Sequence, residues 1–207
     1  DYGRDLGVML MGDIDKYFHY DFAVTNGSIP CKDDNNNTKD IYASVTIKPF
    51  KNFNVKATYN WGEYNPQALA GGTAPGIGVS KYMPMNRFVV GAWYNDPNGL
   101  DLRAEYGFMK SDKGGDTYVD EQGAYVLAGY HAGKFLPLVR WDMYKDDVNK
   151  TSAGCNYNRI LVGCTYQLFK NVKIQLNYGH FMYSDDVKNA GGLEKSEQVQ
   201  LMGLFKF

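Results

Sequence analysis

The chain has 207 residues and a formal net charge of −1, from 22 basic and 23 acidic side chains. This balance excludes a strong overall field that would attract nucleic acid or an anionic membrane surface. No apolar run approaches the roughly 20 residues that a membrane-spanning helix needs, and the 17 tyrosines and 23 glycines favour strands and turns over helices.

The N-terminal segment 1–5 has neither the basic start nor the apolar core of a signal peptide, so we expect a mature chain or a piece of one. After it, the dominant pattern is a period-two alternation of apolar and polar residues. Within 41–48, for example, the odd positions are apolar and the even positions are mostly polar. Such alternation places two different chemistries on the two faces of one β-strand.

Eleven segments carry this pattern, which predicts eleven strands. They lie near residues 4–12, 16–26, 40–50, 54–64, 86–96, 100–111, 123–132, 137–146, 159–169, 172–184 and 198–207. Tight turns alternate with long loops rich in Gly, Asn, Asp and Lys. The predicted long loops are 27–39, 65–85, 112–122, 147–158 and 185–197. This arrangement is typical of an antiparallel meander with short turns at one end.

Two architectures use such a pattern, a soluble sandwich or barrel and a transmembrane barrel with its apolar face toward lipid. Strands of nine to eleven residues match a tilted bilayer crossing, and aromatic residues gather toward strand ends, as an interface girdle requires. The sequence therefore predicts an all-β, transmembrane antiparallel β-barrel. A dry interior formed by Ile41, Val45, Leu102 and Ile174 would contradict that prediction.

The last segment, 199–207, is an alternating strand that ends in phenylalanine. A terminal aromatic resembles the signal by which outer-membrane proteins present their last strand to the assembly machinery. Phe205 and Phe207 are therefore the predicted assembly signal, with Phe207 at the periplasmic side. Counting back through eleven strands puts residue 1 on the extracellular side, whereas bacterial barrels have an even number of strands. We thus expect residues 1–207 to be a single β-barrel domain that lacks its N-terminal strands.

Four stretches in the first fifty residues carry a family resemblance: 3–8 (GRDLGV), 24–27 (VTNG), 34–40 (DNNNTKD) and 47–49 (IKP). Together they resemble the phosphate-selective porin O and P family of Gram-negative outer membranes. Members of that family are described as sixteen-stranded trimeric barrels. The resemblance implies that this chain is the C-terminal part of such a barrel, with five strands missing.

The resemblance implies passive diffusion of small hydrophilic or anionic solutes, phosphate among them, across the outer membrane. It also implies outer-membrane lipid, a homotrimer and the barrel assembly machinery as partners. Phosphate selectivity itself does not transfer, because in the family it depends largely on basic residues from the earlier part of the barrel. The alternative is an outer-membrane barrel that serves as a scaffold and binds partner proteins through its long loops.

Alternation alone predicts which charged side chains line the pore. The predicted pore-lining residues are Lys48, Lys56, Asp101, Arg103, Glu105, Arg140, Asp142 and Lys173, and Asp21 is a further acidic candidate. Such a mixed lining supports at most a weak anion preference, and local pairing of the charges is the simpler interpretation.

The sequence predicts no enzyme, no cofactor and no metal site. His180 and Ser184 share one strand face but lie about 13 Å apart, which is too far for a catalytic dyad. The cysteines have no Cys-x-x-Cys spacing that would indicate zinc. Cys31 and Cys155 fall in polar stretches, and a disulfide between them and two free thiols are both compatible with the sequence.

Overall fold

A computed structural model of the chain describes residues 6–27, 38–64, 83–114, 117–146, 148, 156–189 and 194–206. Eleven strands form one antiparallel sheet in which neighbouring strands are also neighbours in the sequence. The strands are β1 (Gly7–Ile14), β2 (Phe18–Thr25), β3 (Asp40–Phe50), β4 (Phe53–Tyr64), β5 (Met83–Asn95), β6 (Leu100–Gly114), β7 (Thr117–Tyr130), β8 (Phe135–Lys145), β9 (Tyr157–Phe169), β10 (Val172–Tyr183) and β11 (Lys195–Phe205). The predicted all-β meander of eleven strands is confirmed.

One predicted connection is wrong. Residues 112–122 were expected to form a long loop, but β6 continues to Gly114 and β7 already begins at Thr117. The register places Asp112 opposite Tyr118, so the ladder of this hairpin extends past the expected end. The charged residues after 111 were the reason for ending the predicted strand there. A strand can nevertheless contain charged residues where its end is solvated. The predicted loops 27–39, 65–85 and 147–158 lie largely outside the described residues.

The tight turns follow from residues that tolerate a left-handed backbone. Asp15 between β1 and β2 has a φ of 57°, Asn52 between β3 and β4 has a φ of 67°, and Gly133 between β7 and β8 has a φ of 63°. Asp, Asn and Gly adopt this region at the lowest steric cost. At the β5–β6 turn the Asp96 carboxylate instead accepts a hydrogen bond from the backbone N–H of Asn98 at 3.1 Å.

Each strand contributes alternate residues to two chemically different faces, here called the apolar face and the polar face. In β10, Ile174 and Leu176 belong to the apolar face, whereas Gln175 and Asn177 belong to the polar face. The register pairs like with like, since Leu176 lies opposite Leu201 of β11. Both faces are therefore continuous across the sheet.

The apolar face is exposed. Leu102, Ile174 and Ile41 are 40%, 39% and 37% exposed, and Val45 lies on the same face. No second layer of the described residues covers these side chains, because all eleven strands belong to the one sheet. The dry interior that would contradict a membrane barrel is not formed.

The buried side chains among the described residues belong instead to the polar face. They are Ala23, Ser44, Thr46, Met85, Asp101, Ser111, Val119, Asp142, Leu161, Thr165 and Asn177. A single-layer sheet can bury only the face toward which it curls. The sheet therefore curls toward its polar face, as the wall of a barrel does.

A short helix, α1 (Asp185–Asn189), follows β10 within the predicted loop 185–197. The Asp185 carboxylate accepts a hydrogen bond from the Lys188 ammonium at 3.0 Å and raises the pKa of Lys188, and Glu194 acts in the same direction. In the described part of the chain, no helix has the length and apolarity required to cross a membrane.

Candidate functional site

Charged residues form a belt across the polar face. We define this charge belt as Lys56, Asp101, Arg103, Glu105, Arg140, Asp142 and Arg159. The register places four of its members, Lys56, Glu105, Asp142 and Arg159, in one row across β4–β9, with Gly91 and Tyr125 between them. Strands lie about 4.8 Å apart, so the row runs for roughly 24 Å around the inner surface.

Asp101 is the most buried member of the charge belt, with 2% of its surface exposed. Arg103 donates two parallel hydrogen bonds to it, from Nε to Oδ1 at 2.8 Å and from Nη2 to Oδ2 at 2.8 Å. His131 Nε2 lies 4.0 Å from Oδ2. A carboxylate buried to this extent is stable as an anion only when such partners satisfy its oxygens.

Asp142 is shared by two arginines. Arg140 Nε donates to Oδ1 at 2.7 Å, and Arg159 Nε donates to Oδ2 at 2.9 Å. The Arg140 guanidinium also lies 4.2 Å from the ring centroid of Tyr125, within the range of a cation–π contact. Asp142 thus neutralises part of the positive charge of two side chains and fixes both in place.

All eight predicted pore-lining residues lie on the polar face. Six of them belong to the charge belt. The other two, Lys48 near the end of β3 and Lys173 at the start of β10, are exposed near the short turns and lie away from the belt. The described structure contains no pore, so pore lining itself stays a prediction.

Sequence reasoning missed Arg159 and the pairing of His19. Arg159 stood at the first position of the predicted ninth strand, where its facing is ambiguous, but Leu161, Gly163 and Thr165 continue its alternation on the polar face. His19 lies between two carboxylates, with Nδ1 3.0 Å from Asp13 and Nε2 3.1 Å from Asp21. The alternation of β2 contained that signal, because His19 and Asp21 are two residues apart.

Aromatic side chains occupy both ends of the apolar face. At the short-turn end Phe50 and Phe53 stack at 4.8 Å, and Phe135 lies 4.8 Å from Tyr166. Nearer the loop end, Trp61 of β4 lies opposite Ile41 on the apolar face, and Tyr59, two residues before it, donates from its hydroxyl to Asn86 at 2.7 Å. Tyr59 and Tyr166 combine an apolar ring with a polar hydroxyl, which suits the boundary between lipid and water.

The predicted assembly signal lies at the end of β11. Phe205 is on the apolar face at its short-turn end and is 67% exposed. Phe207 lies outside the described residues. Its role, and that of Phe205, stays a prediction.

The described residues of the polar face provide hydrogen bonds and charge. Among the residues that the structure describes, no group of three or more His, Cys, Asp or Glu side chains is placed to hold a metal ion. His180 Nδ1 lies 2.8 Å from Glu197 on the apolar face. Cys164 is a free thiol, whereas Cys31 and Cys155 lie outside the described residues.

No protein-family model matches the sequence, and no curated protein is significantly similar to it. The solved structures do contain similar folds. One is a porin, with a TM-score of 0.63, 12% identity and 97% of this chain covered. Another is OmpT, an outer-membrane protein of Vibrio cholerae folded in vitro, with a TM-score of 0.60, 15% identity and 96% of this chain covered.

The trimer form of Vibrio cholerae OmpT is also similar, with a TM-score of 0.57, 15% identity and 95% of this chain covered. The chain spans 61–62% of the length of these three structures. At such low identity the similarity establishes the fold alone. The chain has the all-β, antiparallel fold of outer-membrane porin β-barrels.

Proposed function

We propose that the chain forms most of the wall of an outer-membrane channel through which small hydrophilic or anionic solutes diffuse passively. One observation carries this proposal, namely that the exposed face of the sheet is apolar while the face toward which it curls is charged. A soluble barrel would have the opposite arrangement. Lipid would contact the apolar face, and water would fill the space beside the polar face.

The barrel would be completed by strands outside these 207 residues. In the described sheet β1 pairs only with β2, and β11 pairs only with β10. Each free edge exposes backbone N–H and C=O groups that lipid cannot satisfy. The similar solved structures are longer than this chain, which is consistent with a barrel of more than eleven strands.

The channel would have a weak anion preference. The charge belt contains four basic residues, Lys56, Arg103, Arg140 and Arg159, against three acidic ones, Asp101, Glu105 and Asp142. Three of the arginines are paired with aspartates, so little positive charge remains for a passing solute. Membership of the phosphate-selective family, and phosphate as the solute, remain predictions.

The proposed assembly is a homotrimer embedded in outer-membrane lipid by the barrel assembly machinery. The similarity to the OmpT trimer form is compatible with it. We propose a channel and not an enzyme.

Electrical recording tests the channel. The purified full-length protein in a planar lipid bilayer should give steady open-channel currents, and a KCl gradient should give a small reversal potential of the sign expected for anions. Arg103→Glu should move that potential toward cations. A barrel that served only as a scaffold for other proteins would give no steady current, and that result would contradict the proposal.

Thiol labelling tests which face contacts lipid. In full-length protein carrying Cys31→Ser and Cys155→Ser, native Cys164 on the apolar face should resist a charged, water-soluble maleimide while the protein is in lipid vesicles. The thiol of a Glu105→Cys variant, on the polar face, should react with the same maleimide while that variant is in lipid vesicles. Both thiols should react after unfolding in urea. Labelling of Cys164 in vesicles, with Glu105→Cys protected, would reverse the assignment of the two faces.

A further inference from the structure

A groove of about 280 Å³ crosses β6–β9 on the polar face, beside the charge belt. Its floor includes Gly107 and Gly123, which lie opposite each other in the register.

Neither glycine has a positive φ. A Cβ atom at Gly107 would meet its nearest neighbour at 3.7 Å, and one at Gly123 would meet its nearest neighbour at 3.9 Å. Neither backbone conformation nor packing requires glycine here, so the effect of both residues is to leave space.

The walls of the groove are aromatic. Tyr125, Tyr144 and Tyr157 line it, and all three are half-buried on the polar face. The ring centroids of Tyr144 and Tyr157 are 5.8 Å apart. The Arg140 guanidinium covers one face of the Tyr125 ring. Ring faces that remain accessible in a water-filled space are available to stack with a flat apolar surface.

The aromatic surface continues beyond the groove. Tyr157 lies 5.3 Å from Phe181 and 6.4 Å from Tyr183, and these last two rings are 6.2 Å apart. We call the five rings of Tyr125, Tyr144, Tyr157, Phe181 and Tyr183 the aromatic strip. It runs from the charge belt toward the loop end of the sheet, and it is longer than a single small solute.

The polar groups beside the strip include both basic and acidic side chains. Arg140 and Arg159 share Asp142 as a partner. Glu105 lines the groove and has no ion pair among the described residues. Glu121 adds a third carboxylate, which accepts a hydrogen bond from the Tyr144 hydroxyl at 3.4 Å. The strip is thus bordered by two guanidinium groups and three carboxylates, which give both donors and acceptors but no excess of positive charge. This arrangement favours a neutral ligand with many hydroxyl groups over a simple anion.

We propose that the groove and the aromatic strip bind a neutral, linear oligosaccharide. A sugar ring has an apolar C–H face, which would stack on the rings of the strip, and a rim of hydroxyl groups. The hydroxyl groups would donate to Glu105 and accept from Arg140 and Arg159. The proposal names a substrate class for the channel and rests on that proposed function for the position of the groove in the lumen.

Binding and current are measured separately on the full-length protein. Calorimetric titration in detergent measures the binding of three ligands: maltohexaose, xylohexaose and inorganic phosphate. The two oligosaccharides differ in their sugar and in their linkage. We expect at least one oligosaccharide to bind and to interrupt the open-channel current in a bilayer. Tyr157→Ala should weaken that binding about tenfold, the size of one lost ring contact, whereas Tyr157→Phe should retain it.

Gly123→Val should abolish oligosaccharide binding by filling the floor of the groove, and Tyr106→Ala on the apolar face should leave it unchanged. The heat-dependent gel mobility of each variant shows whether it is folded. Failure of both oligosaccharides to bind a folded, conducting protein would overturn the inference and leave the channel intact. The inference would also be overturned if phosphate bound to the unmodified protein and no longer bound to the Gly123→Val variant, because the groove would then be a phosphate site. Oligosaccharide binding without any current would support the groove and contradict the channel.

Discussion

Leu176→Arg in the full-length protein is expected to destabilise the membrane-inserted barrel by about 2–4 kcal/mol. Leu176 lies near the middle of β10, on the apolar face, and is 54% exposed. Its register partners are Cys164 and Leu201, which also lie on that face. A guanidinium at this depth would enter hydrocarbon without a counter-charge. Urea titration of the protein folded in lipid vesicles, followed by heat-dependent gel mobility, measures the loss.

The adjacent residue provides the matched control. Gln175 lies on the polar face, where its amide donates to Asn177 at 3.0 Å. Gln175→Arg places the same group one residue away but in water, so the change should stay within about 0.5 kcal/mol. Equal losses for the two variants, or a larger loss for Gln175→Arg, would be incompatible with lipid on the apolar face.

Asp142→Asn is expected to cost about 3 kcal/mol of stability, because it removes the shared partner of two arginines. Asp142 is 6% exposed, and asparagine preserves its shape while removing its charge. Arg140 and Arg159 would then keep uncompensated positive charge on the inner wall. The same urea titration measures stability, and the reversal potential in a KCl gradient should shift toward anions.

A charge-balanced double variant separates the two causes. Adding Arg159→Gln to Asp142→Asn should restore part of the stability and return the reversal potential toward the original value, because one unpaired charge is removed. Asp13→Asn, at the exposed end of β1, should change both quantities little. If Asp142→Asn left stability and selectivity unchanged, the pairing within the charge belt would have no energetic role.

The two faces of the sheet were predictable because the side-chain period of a strand is two. A residue such as Arg103 could be placed from its neighbours alone, since Leu102 and Ala104 are apolar and Asp101 and Glu105 are charged. Its hydrogen bonds with Asp101 follow from the same spacing, since side chains two apart share a face.

Strand ends were less predictable, because the alternation fades where a strand leaves its apolar surroundings. This explains the wrong loop at 112–122 and the uncertain facing of Arg159. Polar residues near a strand end satisfy a solvated ladder and a solvated loop equally well. Only pairing with the neighbouring strand distinguishes a strand end from a loop. The register of that pairing depends on residues far apart in the sequence.

The groove could not be predicted from the sequence. Gly107 and Gly123 are sixteen residues apart, and they matter only because the register places them opposite each other. The same holds for the contacts of Tyr144 with Tyr157 and of Tyr157 with Phe181, which join different strands. An aromatic residue on the polar side of one strand indicates nothing until its neighbours across the sheet are known.

The order of the sheet also has a consequence for how such a protein is made. Every ladder joins strands that are consecutive in the chain, so no pairing needs a crossover, and the entropic cost of bringing each pair of strands together is small. The wall can therefore grow one hairpin at a time, with each new hairpin templated on the edge left by the last. Duplication or loss of a whole hairpin would widen or narrow such a barrel while preserving the pairing of all the others.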